Sequence, residues 1–493
     1  MNFFSRILTI IALTIQVVVP VGVFAEDIKP EILEKTRKAI VSIDARISVS
    51  AYNATGNMKG TGFIADKKNG LLVTNAHVAV PASVGSYFVT FSNGKQTEAK
   101  VLYCDTWQDY AIMKVLPAEI PSDATEVKFT KEAPKQNQNV FIIGNNEAQD
   151  FSFHTGYLSN LYDINGSMPQ QTYVVNLNAR GGSSGSPLLN TKGEAIGLNY
   201  GGSDTYGLSL KGAYVMHALE AFKTNQLPSR KHIGVLTEVY SLDRANNHRA
   251  FPKDVMENYI KNYPDARNKV IAVKNVLTNS PAEAFLLPGD IIWQIDDADV
   301  AAELFTLDNA MNLSQSDKVK LTIYRDGLKL DVHIPLYDVN KYQIKELVEF
   351  AGATIFEADD FVSAKSGTPL GAVSIANIQQ GRGMSVVPQM LRLADNNPPT
   401  WRMNVTALDR HPITDLSSLI AALPNVMSKK FITINFVNYQ PHFEPFAGIM
   451  QTSHSNAIVD ITLDALDAKP RVMKFSHETG DWSVEEVKKI SGK

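Results

Sequence analysis

Gly182-Ser183-Ser184-Gly185-Ser186-Pro187-Leu188 is the stretch on which the fold turns. Two small residues lead into Ser184, Gly185 relieves a Cβ clash behind it, and an apolar pair opens the next strand. Upstream lie Val73-Thr74-Asn75-Ala76-His77-Val78 and Asp109-Tyr110-Ala111-Ile112. A serine hydroxyl is a poor nucleophile near neutral pH. It needs a base, an orienter for that base, and donors for the oxyanion that forms. Ser184, His77 and Asp109 fit nucleophile, base and orienter, in the chain order His, Asp, Ser. That order excludes the Ser, acid, His arrangement of α/β-hydrolases and the Asp, His, Ser arrangement of subtilisins. Gly182-x-Ser184-x-Ser186 also departs from the Gly-x-Ser-x-Gly elbow of acyl hydrolases. The N–H groups of the Gly182, Ser183, Ser184 turn are the candidate oxyanion donors. His154, in Phe153-His154-Thr155-Gly156, reads as a loop residue and not as a competing base.

The surroundings of these motifs are β-rich. Between Ala39 and Gly202, short apolar runs such as Ala39-Ile40-Val41-Ser42-Ile43, Leu71-Leu72-Val73 and Val140-Phe141-Ile142-Ile143 alternate with turns at Asn69-Gly70, Asn93-Gly94 and Asn165-Gly166. Many short strands with frequent turns indicate a barrel or sandwich, not a parallel α/β sheet. Amphipathic helices are expected over residues 26–38 and 215–224. Leu227-Pro228-Ser229-Arg230 then reads as a linker.

A second unit follows to about Asn340 and a third to about Pro441. Each starts near a glycine, in His232-Ile233-Gly234-Val235 and Phe350-Ala351-Gly352-Ala353, and each ends with a turn, a helix and a strand. The pattern reads as a diverged internal repeat. The tail beyond Phe443 has alternating strand character without an assignable role.

The 493 residues suit about three domains of roughly 150 residues each. A net charge of −4, with no Lys/Arg-rich run, gives no footprint for nucleic acid. No phosphate-binding glycine loop or metal-spaced His/Cys cluster is present, so neither a cofactor nor a metal is expected. Arg6, the apolar run Ile7 to Val19, the breakers Pro20 and Gly22, and Val23-Phe24-Ala25 read as a secretory signal peptide cut after Ala25. Cys104 stands alone, which rules out an intramolecular disulfide, and its neighbours suggest a half-buried structural thiol.

On these residues the chain resembles the HtrA/Deg family of serine proteases. Gly60-Thr61-Gly62-Phe63-Ile64 with Val73 to Val78 is similar to the family's histidine region. Asp109 to Val115 is similar to its aspartate strand, and Ile142-Ile143-Gly144-Asn145 with Gly156-Tyr157-Leu158-Ser159 to the hairpin before the nucleophile. Asn279-Ser280-Pro281-Ala282 and Leu287-Pro288-Gly289-Asp290-Ile291 resemble a PDZ domain of the family. The resemblance implies a mainly β protein with some α: a chymotrypsin-like double β-barrel, two PDZ-like α+β domains and a small C-terminal β extension. The expected divisions are 1–25 signal peptide, 26–228 protease domain, 229–340 first PDZ domain, 341–442 diverged PDZ-like domain and 443–493 extension. It further implies peptide capture at Ile233, Gly234 and Val235, and a specificity pocket lined by Gly197, Leu198 and Asn199. With no acid in that strand, small or medium apolar side chains are expected before the scissile bond.

The implied function is an exported, ATP-independent endopeptidase of the periplasm or cell envelope. Its partners would be unfolded polypeptides and C-terminal peptides, and it could assemble as a homo-oligomer, a trimer or a multiple of one. The two PDZ-like units and the altered Ser183-Ser184-Gly185-Ser186 turn motivate an alternative, a PDZ-based peptide-binding chaperone or scaffold with a latent protease domain. Ser183 and Ser186 stand where the family has Asn and a second Gly, and Arg180 stands unusually close to the oxyanion turn.

Overall fold

In the computed structural model, residues 28–488 are described except 148, 167, 388–399, 442–449 and 465–468. The expected signal peptide lies outside the described residues. After a helix over Pro30–Arg37, six strands close the first barrel: β1 Ile40–Ser50, β2 Gly56–Asp66, β3 Leu71–Thr74, β4 Ser83–Phe91, β5 Gln96–Asp105 and β6 Tyr110–Lys114. Six more close the second: β7 Asn139–Asn146, β8 Gln149–Asn165, β9 Gln170–Asn176, β10 Pro187–Asn190, β11 Ala195–Gly202 and β12 Gly207–Lys211. The barrel alternative left open by the turn spacing, and the chymotrypsin-like double barrel implied by the resemblance, are therefore present. Closure leaves neither sheet with a free edge.

One core cluster fills the seam. Phe63, Val73 and Ile112 of the first barrel pack with Phe141, Leu189 and Leu198 of the second. Roughly 2 kcal/mol for each fully buried side chain of this size makes the seam a rigid mount for loops on its rim. The helix Gly212–Lys223 caps the second barrel with Val215 and Ala218 buried.

The second unit is a sheet in which Val235–Ser241, Lys269–Val276, Ile291–Ile295, Lys318–Arg325 and Leu328–Pro335 lie side by side, with the helix Leu304–Leu313 packed on it. Two short helices, Leu242–Arg249 and Lys253–Asn262, lie between the first two of these strands.

The third unit repeats the order. The strands Ala353–Glu357, Val373–Ala376 and Met403–Leu408 precede the helix Leu416–Val426 and the strand Phe431–Pro441. Matching hydrogen bonds support the repeat. Leu277 N–H donates to Gly234 O at 2.9 Å and Ala282 N–H to Ile233 O at 3.0 Å, while Gln379 N–H donates to Gly352 O and Met384 N–H to Ala351 O, both at 2.8 Å.

The expected extension over 443–493 needs correction. Met450–Asp460 pairs with Phe431–Pro441 along its full length, and Arg471–Ser476 pairs with Glu346–Phe350 on the far side of the same sheet. Ala457, Val459, Val472 and Met473 are buried in it, so the tail is part of the third unit and not an appendage.

Candidate functional site

The three proposed catalytic side chains come from three connections at the barrel seam. His77 sits on the one-turn helix Ala76–Ala79 that follows β3. Asp109 ends the β5–β6 turn with φ of 55°, a left-handed conformation that few non-glycine residues adopt. Asn75 Nδ2 donates to Asp109 O at 2.8 Å and stabilises that geometry. Ser184 lies on the connection between β9 and β10.

His77 and Asp109 are joined three times. His77 Nδ1 lies 2.8 Å from Asp109 Oδ2 and 3.0 Å from Oδ1, and His77 N–H donates to Oδ1 at 3.0 Å. The ring therefore carries its proton on Nδ1 and presents Nε2 as the acceptor. Desolvation lowers the imidazole pKa, but the Asp109 charge and hydrogen bond outweigh it, and the pKa is raised above its ordinary value. Ser184 Oγ donates to Tyr200 O at 3.3 Å, and among the described residues no hydrogen bond joins it to His77. Catalytic contacts of this kind commonly tighten only when substrate arrives.

The nucleophile turn is tightly tied. Thr61 Oγ1 donates to Gly182 O at 2.8 Å and accepts Asn145 N–H at 2.8 Å, while Thr61 N–H donates to Ser184 O at 2.8 Å. Gly182 and Gly185 have φ of +95° and +90°; a Cβ on Gly185 would lie 1.9 Å from Thr61 O. Ser183 N–H is spent on Arg180 O at 3.1 Å, whereas Gly182 N–H and Ser184 N–H have no acceptor among the described residues. Of the three expected donors, two are thus free to meet a carbonyl oxygen. Thr61 was within a quoted motif but had no role there; only the folded turn brings it under Gly182.

The expected pocket strand is placed differently. Leu198 is fully buried in the seam cluster, and a Cβ on Gly197 would lie 2.7 Å from Leu210 O. Asn199 is buried with Nδ2 donating to Ser183 O at 3.1 Å, so it supports the nucleophile turn. Tyr200, one residue on, supplies the carbonyl beside Ser184. His154, expected in a loop, lies instead within strand β8, where the β7–β8 ladder pairs it with Ile142, and Asn146 Nδ2 lies 2.8 Å from its Nε2. Cys104 is half-buried at the end of β5, and burial pushes its thiol pKa up, as suits an inert thiol.

In the second unit, Ile233 and Val235 belong to the core, and Gly234 bends the chain with φ of +91°. Its N–H donates to His232 Nδ1 at 3.0 Å. The strand Val235–Ser241 is an edge of its sheet, and Ile164 from the β8–β9 hairpin packs against the same core. In the third unit the corresponding edge, that of Ala353–Glu357, is already filled by Glu346–Phe350.

Residues 60–198 match the trypsin-like peptidase domain family and residues 252–336 the PDZ domain family. Over 190 residues the chain is 37% identical to the uncharacterized protein RP187 of Rickettsia prowazekii, covering 38% of this chain and 97% of that one. It is 26% identical over 347 residues to the pro-apoptotic serine protease nma111 of Aspergillus oryzae, covering 66% of this chain and 32% of that one. The chain thus spans about a third of the length of that fungal relative. Among solved structures, the serine endoprotease from Yersinia pestis aligns with a TM-score of 0.42 at 19% identity, over 62% of this chain and 97% of that one. The HtrA-type protease AlgW with tripeptide gives 0.46 at 19% identity, over 62% and 95%.

Proposed function

The chain belongs to the HtrA/Deg family of serine proteases, and from that premise we propose that it is an exported, ATP-independent endopeptidase that cleaves unfolded polypeptides. The His77–Asp109 pair, 2.8 Å apart at a rim that also carries Ser184 and two unspent N–H donors, carries this reading. Ser184 attacks the scissile carbonyl and His77 Nε2 takes its proton. Asp109 holds the tautomer and stabilises the imidazolium. Gly182 N–H and Ser184 N–H receive the oxyanion, and His77 then returns the proton to the leaving amine. The PDZ unit offers the terminal strand of its sheet, Val235–Ser241, for an extended peptide.

One observation favours a second reading, a peptide-binding holdase with a latent protease domain: Ser184 Oγ is directed to Tyr200 O and not to His77. A single experiment separates the two. Mature wild-type protein and Ser184→Ala are incubated with unfolded labelled casein over a temperature range. Fragment release by the wild type alone supports the endopeptidase. Absence of release with casein kept soluble by both proteins rejects it in favour of the holdase.

A further inference from the structure

The peptide between Gly181 and Gly182 decides whether an oxyanion hole exists. A trans peptide points its C=O and N–H in opposite directions. Fixing Gly181 O therefore fixes where Gly182 N–H points. Sterics alone do not hold this peptide, because a Cβ built on Gly181 meets nothing within 4 Å. What holds it is Glu147 N–H, which donates to Gly181 O at 2.8 Å.

Glu147 itself is at the strained tip of the β7–β8 turn, with φ of 50°. Arg180 fastens that tip. Its Nη1 donates to Glu147 Oε1 at 2.7 Å, and its own N–H donates to Asn146 Oδ1 at 3.0 Å. The other arm of the same guanidinium, Nε, donates to Asp204 in the β11–β12 turn. Ala179 N–H meets Ser203 O there at 2.9 Å. Arg180 O accepts both Ser183 N–H at 3.1 Å and Ser183 Oγ at 2.6 Å. One residue thus joins three turns from separate parts of the second barrel, next to the nucleophile.

We propose that Arg180 is a positioning residue: its two-armed grip on Glu147 and Asp204 keeps Gly181 O turned outward, so that Gly182 N–H faces the carbonyl attacked by Ser184. The proposal rests on Ser184 being the nucleophile. The guanidinium fork suits the task because its donors diverge in a fixed plane toward two carboxylates, which a lysine ammonium does not reproduce. The carboxylates are largely exposed, 62% for Glu147 and 61% for Asp204, so the grip adds little to global stability. It acts on the orientation of a single peptide.

Arg180→Gln and Arg180→Lys are compared with the wild type and Ser184→Ala in three measurements on the full mature chain. Hydrogen exchange read by mass spectrometry should show faster exchange at the Glu147 amide in Arg180→Gln, with partial recovery in Arg180→Lys. Turnover of a fluorogenic casein-derived peptide should show kcat lowered about tenfold, a fraction of the loss from deleting an oxyanion donor, with KM nearly unchanged. The melting temperature should stay near that of the wild type. Unchanged exchange at Glu147, or unchanged kcat despite faster exchange, overturns the proposal. A wild type as inactive as Ser184→Ala counts against the nucleophile reading, and the exchange measurement still decides whether Arg180 holds the turn.

Discussion

The hydroxyl of Thr61 donates to the carbonyl oxygen of Gly182 at 2.8 Å, and the same oxygen of Thr61 receives the N–H of Asn145. Through this hydroxyl, strand β2 of the first barrel supports a turn of the second. Thr61 is fully buried, so removing its hydroxyl strands two backbone groups away from water. Thr61→Val should cost about 1–3 kcal/mol in urea denaturation. It should also lower kcat, because Gly182 loses the anchor on its carbonyl. Thr61→Ser keeps the hydroxyl and should retain most of both quantities. A Thr61→Val protein with unchanged kcat would show that the turn keeps its shape without this support.

The His77–Asp109 pair sets the acid limb of activity. His77 must be neutral to accept the Ser184 proton, and its pKa is raised above the ordinary 6.5, first against desolvation and then by Asp109. The kcat/KM limb should therefore have its midpoint above 6.5 in the wild type. In Asp109→Asn the limb should move to lower pH, and the plateau should fall by on the order of 10⁴, since the amide no longer fixes the tautomer. The sign for stability is opposite to that for activity. With the folded pKa raised, the pair's contribution is complete below the unfolded pKa and is lost as pH rises through the folded one. Equal limb positions in wild type and Asp109→Asn would contradict this assignment.

These two predictions show what the sequence allowed and what it did not. Residue type and locally flanking strands single out His77, Asp109 and Ser184 in the sequence, and the fold sets His77 beside Asp109. The barrel strands were readable because their apolar runs and Asn-Gly turns are local as well. Thr61 and Arg180 act through partners in distant segments, 121 residues along for Thr61 and Gly182. No periodicity signals such a contact. The tail strands failed for the same reason: Arg471–Ser476 finds Glu346–Phe350 across the whole third unit. Leu198, expected in the pocket from the resemblance, packs in the seam cluster, a placement that depends on contacts between the two barrels and not on its own stretch of sequence.

Ser186 replaces an expected glycine without obstructing the site. It is fully buried, and its Oγ would lie 2.0 Å from a Cβ on Gly144, so it points behind the turn. That oxygen has no hydrogen-bond partner among the described residues. Ser186→Ala should therefore leave kcat unchanged and be neutral or stabilising by up to about 1 kcal/mol in urea denaturation. Gly144→Ala, by contrast, forces a methyl onto that hydroxyl and should be destabilising. A large activity change in Ser186→Ala would mean that the hydroxyl takes part in shaping the oxyanion turn after all.

The linker between protease and PDZ units carries a buried charge cluster whose pH response has a definite sign. Arg230 and Asp105 are only 3% and 2% exposed, with Nε donating to Oδ2 at 2.6 Å. Asp105 also accepts Gln108 N–H at 2.8 Å, inside the turn that ends at Asp109. Asp308, from the PDZ helix, accepts Tyr214 Oη at 2.7 Å and Gln108 Nε2 at 3.2 Å. Burial pushes the Asp308 pKa up to about 6, with Arg230 opposing the rise. An acid whose folded pKa exceeds its unfolded one costs stability when ionised. The cost is complete above about pH 6 and vanishes as pH falls below the unfolded value of 3.8. At pH 7 it is on the order of 2–3 kcal/mol. Asp308→Asn keeps an acceptor for Tyr214 and removes the charge, so it should be more stable than wild type at pH 7, and the gap should close as pH falls below the unfolded value of 3.8. Arg230→Met should be destabilising by about 3–5 kcal/mol at pH 7, because it leaves Asp105 buried and unpaired. Adding Asp105→Asn to it should restore most of that loss in thermal and urea denaturation. If Arg230→Met melts with the wild type, the linker is not seated on the protease domain in solution, and the turn that carries Asp109 is independent of the PDZ unit.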